Sequence, residues 1–232
     1  MSKNYYIIPL FVPQEGCPHK CVFCNQDRIT GSKESVTAKT VYDTVEEYLQ
    51  TINNKDATIE ISFFGGTFTA IKEEKQRELL AVAKEYKDKG LIDKIRMSTR
   101  PDYINDYILS YLKDYTVDII ELGVQSLDDE ILRLSGRGHT VKDVEAASKL
   151  IKEYGFTLGH QIMPGLPGDS FEKDVETAKK SINMKPDICR IYPSLVIKDT
   201  PMEKMYKRGE YTPYSLEDAV NISKELYKLY TE

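Results

Sequence analysis

The chain has 232 residues, of which 41% are hydrophobic and 30% are charged, a balance typical of a soluble globular protein that can bury a large core. Its net charge of −5 argues against broad, non-specific binding to nucleic acid, although a local basic patch is compatible with it. The first residues, MSKNYY, lack the apolar region of a secretory signal, and no run of about 18 apolar residues could cross a membrane. We therefore expect a cytoplasmic protein without membrane association.

Segments rich in Ile, Val, Tyr and Phe alternate with longer segments of helical periodicity. The predicted strands are 5–12, 58–64, 94–99, 117–124, 156–163 and 187–193. The predicted helices are 38–53, 72–88, 104–114, 128–135, 141–154, 170–183 and 216–230. Strands that are each followed by a helix predict βαβ units and a parallel sheet, whose ligand face is formed by the loops after the strands. Six units are too few for a closed eightfold barrel, which leaves an open doubly wound sheet or a partial barrel.

Local patterns add detail to three of these elements. Two predicted helices begin with patterns that resemble capping boxes: Thr140 with Asp143, and Asp169 with Glu172. Because side chains alternate along a strand, His160 and Gln161 are expected to face opposite sides of the sheet.

Three of the four cysteines follow the first predicted strand, in the run GCPHKCVFC. Cys17, Cys21 and Cys24 form the pattern C-x3-C-x2-C, and thiols in a reducing compartment are more typical of metal sites than of disulfides. A structural zinc ion would need a fourth ligand, for which only His19 is close in sequence. An iron–sulfur cluster is the favoured interpretation, because three thiolates on a four-iron cluster leave one iron open for a ligand. Cys189 lies in a predicted buried strand and is expected to be a core residue.

The cysteine pattern, with the aromatic Phe23 just before its last cysteine, resembles the radical SAM superfamily. The strand ends strengthen this resemblance, and they match the radical SAM domain of the Elongator catalytic subunit and its bacterial and archaeal relatives. The matching runs are FFGGTFTA, STRPDY, ELGVQSLDDEI, SGRGHT, HQIMPGLPGDS and CRIYPSLVIKDTPMEKMYKRGEYTPYS. The resemblance covers essentially the whole chain. It implies an α/β fold, a partial (β/α)6 TIM-like barrel of the radical SAM type, over residues 1–232.

The resemblance also implies an enzyme whose cofactors are a 4Fe–4S cluster and S-adenosylmethionine. In such enzymes one electron from the reduced cluster cleaves the cofactor to a 5′-deoxyadenosyl radical, which abstracts a hydrogen atom from the substrate. Cys17, Cys21 and Cys24 are the implied cluster ligands, and no catalytic residue is implied beyond them. An electron donor such as ferredoxin or flavodoxin is an implied partner.

Further residues inherit contacts to S-adenosylmethionine from the resemblance. Gly65, Gly66 and Thr67 occupy the position of the motif that binds the methionine amino group. The more familiar motif ends in Glu, so Thr67 is a departure that leaves this contact to backbone groups. Arg137 is implied to pair with the methionine carboxylate through its planar guanidinium. Contacts to the nucleoside part are implied for Phe23, Ser98, Gln125, Gln161 and Met163.

The relatives with the full architecture modify the wobble uridine of transfer RNA at carbon 5, so the resemblance implies tRNA as a partner. They join this domain to an acetyltransferase domain, which these 232 residues lack, so we expect the sequence to be the N-terminal part of a longer chain. Arg100, Tyr192 and Lys198 are candidate substrate contacts. A candidate phosphate-binding group follows the sixth strand: Lys198, Lys204, Lys207 and Arg208. Two alternatives stay open, a standalone radical SAM enzyme acting on another substrate such as a tetrapyrrole, and a non-catalytic scaffold that binds a cluster or zinc.

Overall fold

The computed structural model describes residues 4–12, 15–25, 35–54 and 56–232. Its described part forms one six-stranded sheet in which every pair of neighbouring strands is parallel. The strands are β1 (Tyr5–Val12), β2 (Thr58–Gly65), β3 (Lys94–Thr99), β4 (Ile119–Gln125), β5 (Thr157–Ile162) and β6 (Ile188–Ile191). All six predicted strands are confirmed, with ends that shift by at most two residues.

The order of the strands decides between the two predicted architectures. A doubly wound sheet reverses its strand order at a switch point, whereas a (β/α) barrel adds successive strands in one direction. Here the spatial order is β1-β2-β3-β4-β5-β6. The fold is therefore a curled, partial (β/α)6 barrel, and the doubly wound alternative is excluded.

The helices cover one face of this sheet. In the described part of the chain they are α1 (Ala38–Thr51), α2 (Glu73–Asp88), α3 (Asp106–Asp114), α4 (Asp129–Leu134), α5 (Val141–Glu153), α6 (Phe171–Asn183), α7 (Pro201–Lys207) and α8 (Leu216–Thr231). The seven predicted helices are confirmed, and α7 is an addition. Its seven residues are too short to show helical periodicity, but Thr200 caps it and Pro201 occupies its first turn.

One of the two predicted capping boxes is confirmed and the other is wrong. Thr140 accepts from the amide of Asp143, whose carboxylate accepts in return from the amide of Thr140. The predicted pair of Asp169 and Glu172 does not form, because Ser170 is the N-cap of α6. Ser170 has the extended backbone that a cap requires, with φ −145 and ψ 165, while the carboxylate of Asp169 accepts from the Ser170 amide.

The convex face of the sheet is apolar and packs against the helices. Alternate side chains of the strands are buried there, among them Ile8, Ile61, Met97, Leu122 and Leu158. His160 is on this face, with its ring nitrogens 2.9 Å from Ser148 Oγ and 2.8 Å from Ser181 Oγ. Burial lowers the pKa of His160 to about 4, so it is neutral near pH 7. The predicted alternation of His160 and Gln161 is thereby confirmed.

The concave face is polar and carries a buried ion-pair network. Arg96 Nη2 of β3 donates to Glu60 Oε2 of β2 at 3.0 Å, and Arg96 Nη1 donates to Glu121 Oε2 of β4 at 3.2 Å. Arg190 Nε of β6 lies 3.0 Å from Glu121 Oε2, and its guanidinium lies 5.0 Å from the centroid of the Phe64 ring. Buried charges are tolerated when they are paired in this way. The network joins four strands across the interior of the barrel.

Candidate functional site

The three clustered cysteines lie in a loop that leaves β1 at the C-terminal edge of the sheet. This cysteine loop, residues 15–25, packs first against the end of β2. The amide of Thr67 donates to the carbonyl of Glu15 at 3.2 Å, and Cys17 Sγ lies 3.5 Å from Thr67 Oγ1. Gly16 has a left-handed φ of 74, and a Cβ added there would lie 2.4 Å from the carbonyl oxygen of Thr67. Only glycine satisfies both constraints.

A second contact joins the cysteine loop to the turn that follows α4, residues 135–138. The amide of Val22 donates to the carbonyl of Ser135 at 3.0 Å. Arg137 Nη1 donates to Cys21 Sγ at 3.4 Å. Gly138 has a left-handed φ of 79, and a Cβ there would lie 2.3 Å from Nε2 of His19. The run SGRGHT is therefore the surface on which one side of the cysteine loop rests.

The third contact comes from residues 198–202, which include the first turn of α7. The amide of Met202 donates to the carbonyl of Val22 at 2.9 Å, and Asn25 Nδ2 lies 3.4 Å from the carbonyl oxygen of Lys198. Three segments that are distant in sequence thus fix the cysteine loop, mostly through backbone groups and glycine contacts.

The thiols themselves differ in burial. Cys17 is exposed, Cys21 is buried and Cys24 is partly buried, and the amide of Cys24 donates to the carbonyl of Cys21 at 3.1 Å. None of the four cysteines, all of which the structure describes, forms a disulfide. Across residues 4–12, 15–25, 35–54 and 56–232, no three His, Cys, Asp or Glu side chains are grouped closely enough to hold a metal ion. The fit to an iron–sulfur cluster rests on the donor set, three thiols in one anchored loop, which is the ligand type that such clusters use.

Gly65, the last residue of β2, and Gly66 pack against the end of β1 and the start of the cysteine loop. The amide of Gly66 donates to the carbonyl of Val12 at 2.8 Å, and a Cβ on Gly66 would lie 2.3 Å from the carbonyl of Glu15. Gly65 has φ 110 and a Cβ there would lie 2.7 Å from the carbonyl of Val12. Both glycines are thus required by packing, and Thr67 is almost fully buried behind them.

The end of β4 holds a strained, buried glutamine. Gln125 has φ 67, an uncommon conformation for a residue with a side chain, and its Oε1 is buried without a hydrogen-bond partner in the described part of the chain. A Cβ on Gly123 would lie 3.2 Å from Gln125 Nε2 and 3.1 Å from Arg137 Nη2. Leaving such an acceptor unpaired costs about 1–3 kcal/mol, and strain of this kind is concentrated at functional sites. The free acceptor fits a ligand that brings a hydroxyl or amino group.

The other residues predicted to contact the nucleoside surround the same strand ends. Gln161 pairs in register with Gly123 on one side and with Arg190 on the other, so it lies on the concave face. Ser98 Oγ lies 3.5 Å from Glu121 Oε1, and the amide of Met163 donates to the carbonyl of Gln125 at 2.8 Å. Phe23 is half-buried in the cysteine loop.

The three predicted substrate residues differ in their exposure and in their hydrogen-bond partners. Arg100 is buried, and its Nε and Nη2 donate to the two carboxylate oxygens of Asp102 at 2.9 Å and 2.8 Å. Tyr192 is 41% exposed and its hydroxyl accepts from Arg190 Nη1 at 3.1 Å. Lys198 is exposed. In the candidate phosphate-binding group, two members have acidic partners: Lys207 lies 2.7 Å from Glu203 Oε1, and Arg208 Nη2 lies 2.6 Å from Glu210 Oε2.

One part of the site was missed from the sequence, the anchoring of the loop after β5. This β5 loop, residues 163–170, is held at Gly165, whose carbonyl accepts from the Tyr211 hydroxyl at 2.6 Å. The ring of Tyr214 packs on Gly165, and its hydroxyl donates to Asp174 Oδ2 at 2.8 Å. Burial, together with the neighbouring Asp169 carboxyl, raises the pKa of Asp174 to about 9. The partners are about 40 residues apart in sequence, and no local pattern links them.

The comparisons with known proteins agree with this geometry. Residues 11–180 match the family model described as the radical SAM superfamily, and residues 186–232 match that of the radical SAM C-terminal domain. The chain therefore belongs to the radical SAM superfamily. It is an enzyme of this class, with a 4Fe–4S cluster and S-adenosylmethionine as cofactors.

Curated relatives and a solved structure refine the comparison. The chain is 31% identical over 255 residues to the tRNA uridine(34) acetyltransferase of Methanocaldococcus infernus, covering 93% of this chain and 48% of the relative. It is 28% identical over 260 residues to Elongator complex protein 3 of Bos taurus, covering 93% and 48%. The structure of the archaeal Methanocaldococcus infernus Elp3 with an N-terminal deletion superposes with a TM-score of 0.77 at 26% identity, covering 97% and 54%. The chain thus spans about half the length of these relatives.

The helices were also compared with the requirements for a membrane span. Within the described residues, no helix is both long enough and apolar enough to cross a lipid bilayer.

Proposed function

We propose that this chain supplies the radical chemistry for modification of the wobble uridine of tRNA at carbon 5. Two named relatives support the proposal: the tRNA uridine(34) acetyltransferase of Methanocaldococcus infernus and Elongator complex protein 3 of Bos taurus each align with 93% of the chain. The observation that carries it is the anchored cysteine loop, which shares the strand-end face with Arg137, Gln125 and the end of β2. Since the chain spans about half of each of these two relatives, the acetyl transfer named for the archaeal relative is not part of the proposal for this chain.

In this proposal Cys17, Cys21 and Cys24 hold the cluster. The cluster and S-adenosylmethionine, when bound, supply the one-electron cleavage that yields the hydrogen-abstracting radical. The zinc alternative would need His19 as a fourth ligand. The ring of His19 instead packs against Gly138, where a Cβ would lie 2.3 Å from Nε2, so we do not propose it as a ligand.

The residues around the loop bind and orient the second cofactor. Gly65, Gly66 and Thr67 offer backbone groups to its amino end, and Gln125 offers its unpaired buried oxygen to a hydroxyl or amino group. The remaining proposed contacts lie in the cysteine loop, in the turn after α4 and at the neighbouring strand ends: Phe23, Arg137, Ser98, Gln161 and Met163.

For contact with the substrate, the proposal favours the exposed residues that follow β6. Tyr192 and Lys198 are accessible. Arg100 is buried, and its Nε and Nη2 already donate to the carboxylate of Asp102. We propose that Tyr192 and Lys198 contact the tRNA and that Arg100 instead stabilises the turn after β3 through its ion pair with Asp102. The electron donor is proposed to be a low-potential protein such as ferredoxin or flavodoxin. The cytoplasmic location expected from the sequence stays a prediction.

The first experiment tests the chemistry. After anaerobic reconstitution with iron and sulfide, dithionite and S-adenosylmethionine should yield 5′-deoxyadenosine, measured by chromatography. Cys21→Ala should abolish this product, whereas Cys189→Ala should retain it, because Cys189 packs against the core of the convex face instead of lying in the loop. Stoichiometric zinc in place of iron, or no product from protein with a full cluster, would support the scaffold alternative.

The second readout tests the substrate. A gel-shift titration at low salt, where phosphate contacts are strongest, should show tRNA binding that weakens in Lys198→Ala. An unstructured RNA of equal length is the control, and it should bind more weakly than tRNA. Equal binding of both RNAs, or no binding of either, would contradict the tRNA assignment while leaving the cofactor chemistry intact.

A further inference from the structure

Arg137 has contacts that differ from the role expected of it. The resemblance assigns its planar guanidinium to the methionine carboxylate, yet two of its nitrogens are engaged inside the protein. Nη1 donates to Cys21 Sγ at 3.4 Å, and Nη2 donates to the carbonyl of Gly123 at 2.5 Å. The side chain is buried at 7% exposure, and Nε is buried without a hydrogen-bond partner in the described part of the chain.

The backbone fixes the guanidinium at this sulfur. The turn that carries Arg137 is flanked by Gly136 and Gly138, with φ 65 and 79, and Ser135 accepts from the amide of Val22, the residue after Cys21. On the opposite side, a Cβ at Gly123 would lie 3.1 Å from Arg137 Nη2, so glycine leaves the space that the guanidinium fills. The cysteine loop and Arg137 are therefore positioned by the same set of contacts.

We propose that Arg137 is a positioning residue that raises the reduction potential of the cluster through its N–H···S hydrogen bond to Cys21. This inference rests on the proposed function, because Cys21 must be a cluster ligand. Hydrogen bonds to the sulfurs and nearby charge are among the features that set the potentials of iron–sulfur clusters.

The physical reason lies in the charge of the two redox states. Reduction adds one electron, supplied by the low-potential donor, and neither forms nor breaks a bond at Arg137. The electron makes the cluster and its thiolates more negative, so a cationic donor at Cys21 Sγ stabilises the reduced state more than the oxidised state. Because Arg137 is buried, this interaction is screened little by solvent or salt.

The test compares Arg137→Gln with Arg133→Gln by redox titration of the reconstituted protein without S-adenosylmethionine. Omitting that compound removes any contribution of Arg137 to its binding. At a fixed solution potential, Arg137→Gln should lower the ratio of reduced to oxidised cluster about tenfold, a shift of about 59 mV for one electron. Arg133 lies four residues earlier, at an exposed position of α4, and pairs with Glu130 at 2.6 Å, so Arg133→Gln should leave the midpoint unchanged. Iron and sulfide content establishes that the proteins carry equal cluster.

Each outcome decides the proposal. An unchanged midpoint in fully loaded Arg137→Gln overturns it. If that variant does not take up the cluster, Arg137→Met replaces it: methionine fills the buried space but has neither the charge nor an N–H donor, so a midpoint below that of the wild type supports the proposal and an equal one overturns it. A wild-type protein that takes up no cluster is a different result, because it removes the proposed function before any variant is compared.

Discussion

The cysteine loop and the β5 loop both lie at the C-terminal edge of the sheet, but they are held by different means. The cysteine loop is anchored by backbone hydrogen bonds and by glycines that leave no space for a side chain, as at Gly16 and Gly66. The β5 loop is anchored by the hydroxyls of Tyr211 and Tyr214 and by a buried carboxyl, Asp174. The first arrangement is sensitive to added volume, and the second is sensitive to the loss or ionisation of a single polar group.

The largest effect is expected where volume is added to the cysteine loop. Gly16 and Gly90 share a left-handed backbone, with φ 74 and 68, but a Cβ on Gly16 would meet the carbonyl of Thr67 at 2.4 Å whereas one on Gly90 would meet nothing within 4 Å. Left-handed strain alone costs roughly 1–2 kcal/mol for a residue with a side chain. Gly90→Ala should therefore lower the free energy of unfolding by about that amount and keep full iron loading.

Gly16→Ala should add displacement of the loop to the same strain. Because the obstructing atom belongs to the backbone of a buried residue, the loop must move away from β2, and we expect at least a tenfold loss of cluster-bound iron. Urea unfolding and iron analysis of the two variants measure both effects. Equal iron content in Gly16→Ala and Gly90→Ala would show that the close contact does not position the thiols.

An intermediate effect is expected at the β5 loop. Tyr214→Phe removes the donor to Asp174 Oδ2 but keeps the ring that packs on Gly165. A buried acceptor left unsatisfied costs roughly 1–3 kcal/mol, so the urea midpoint should fall without a change in the slope of the transition. Tyr227→Phe, on the exposed side of α8 at 65% exposure, is the matched control and should unfold like the wild type. A Tyr214→Phe variant as stable as this control would show that the hydroxyl does not secure the loop.

The same contrast explains how much could be predicted from the sequence. Strands, most helices and the cysteine loop are local patterns, and periodicity or spacing reveals them, as with Cys17, Cys21 and Cys24. The contacts that fix the site join residues far apart in the chain, such as Arg137 with Cys21 or Tyr214 with Asp174, and depend on the tertiary fold. The buried network of Glu60, Arg96, Glu121 and Arg190 was also missed, although charged residues in the middle of otherwise apolar strands were a visible signal.

The clearest dependence on pH is expected for Asp174→Asn, a change that alters the stability of the β5 loop without touching the cysteine loop. The pKa of Asp174 is raised to about 9 in the folded protein by burial and by the Asp169 carboxyl, against an ordinary value of about 4 in the unfolded chain. The folded state thus holds a proton that the unfolded state releases. The resulting stabilisation is complete below about pH 4 and is lost as the pH rises through about 9.

Asparagine imitates the protonated acid, since it can accept from Tyr214 and donate to Asp169, but it does not ionise. The variant should therefore gain stability relative to the wild type as the pH rises from 5 to 9, measured by urea unfolding at fixed ionic strength. Taking the difference between the two proteins cancels the opposite trend of His139 and His160, whose pKa values burial lowers to about 3 and about 4, and whose stabilisation is lost as the pH falls. A difference that stays constant over this range would mean that Asp174 is ionised in the folded protein. The β5 loop would then be held by a hydrogen bond from the Tyr214 hydroxyl to a carboxylate anion.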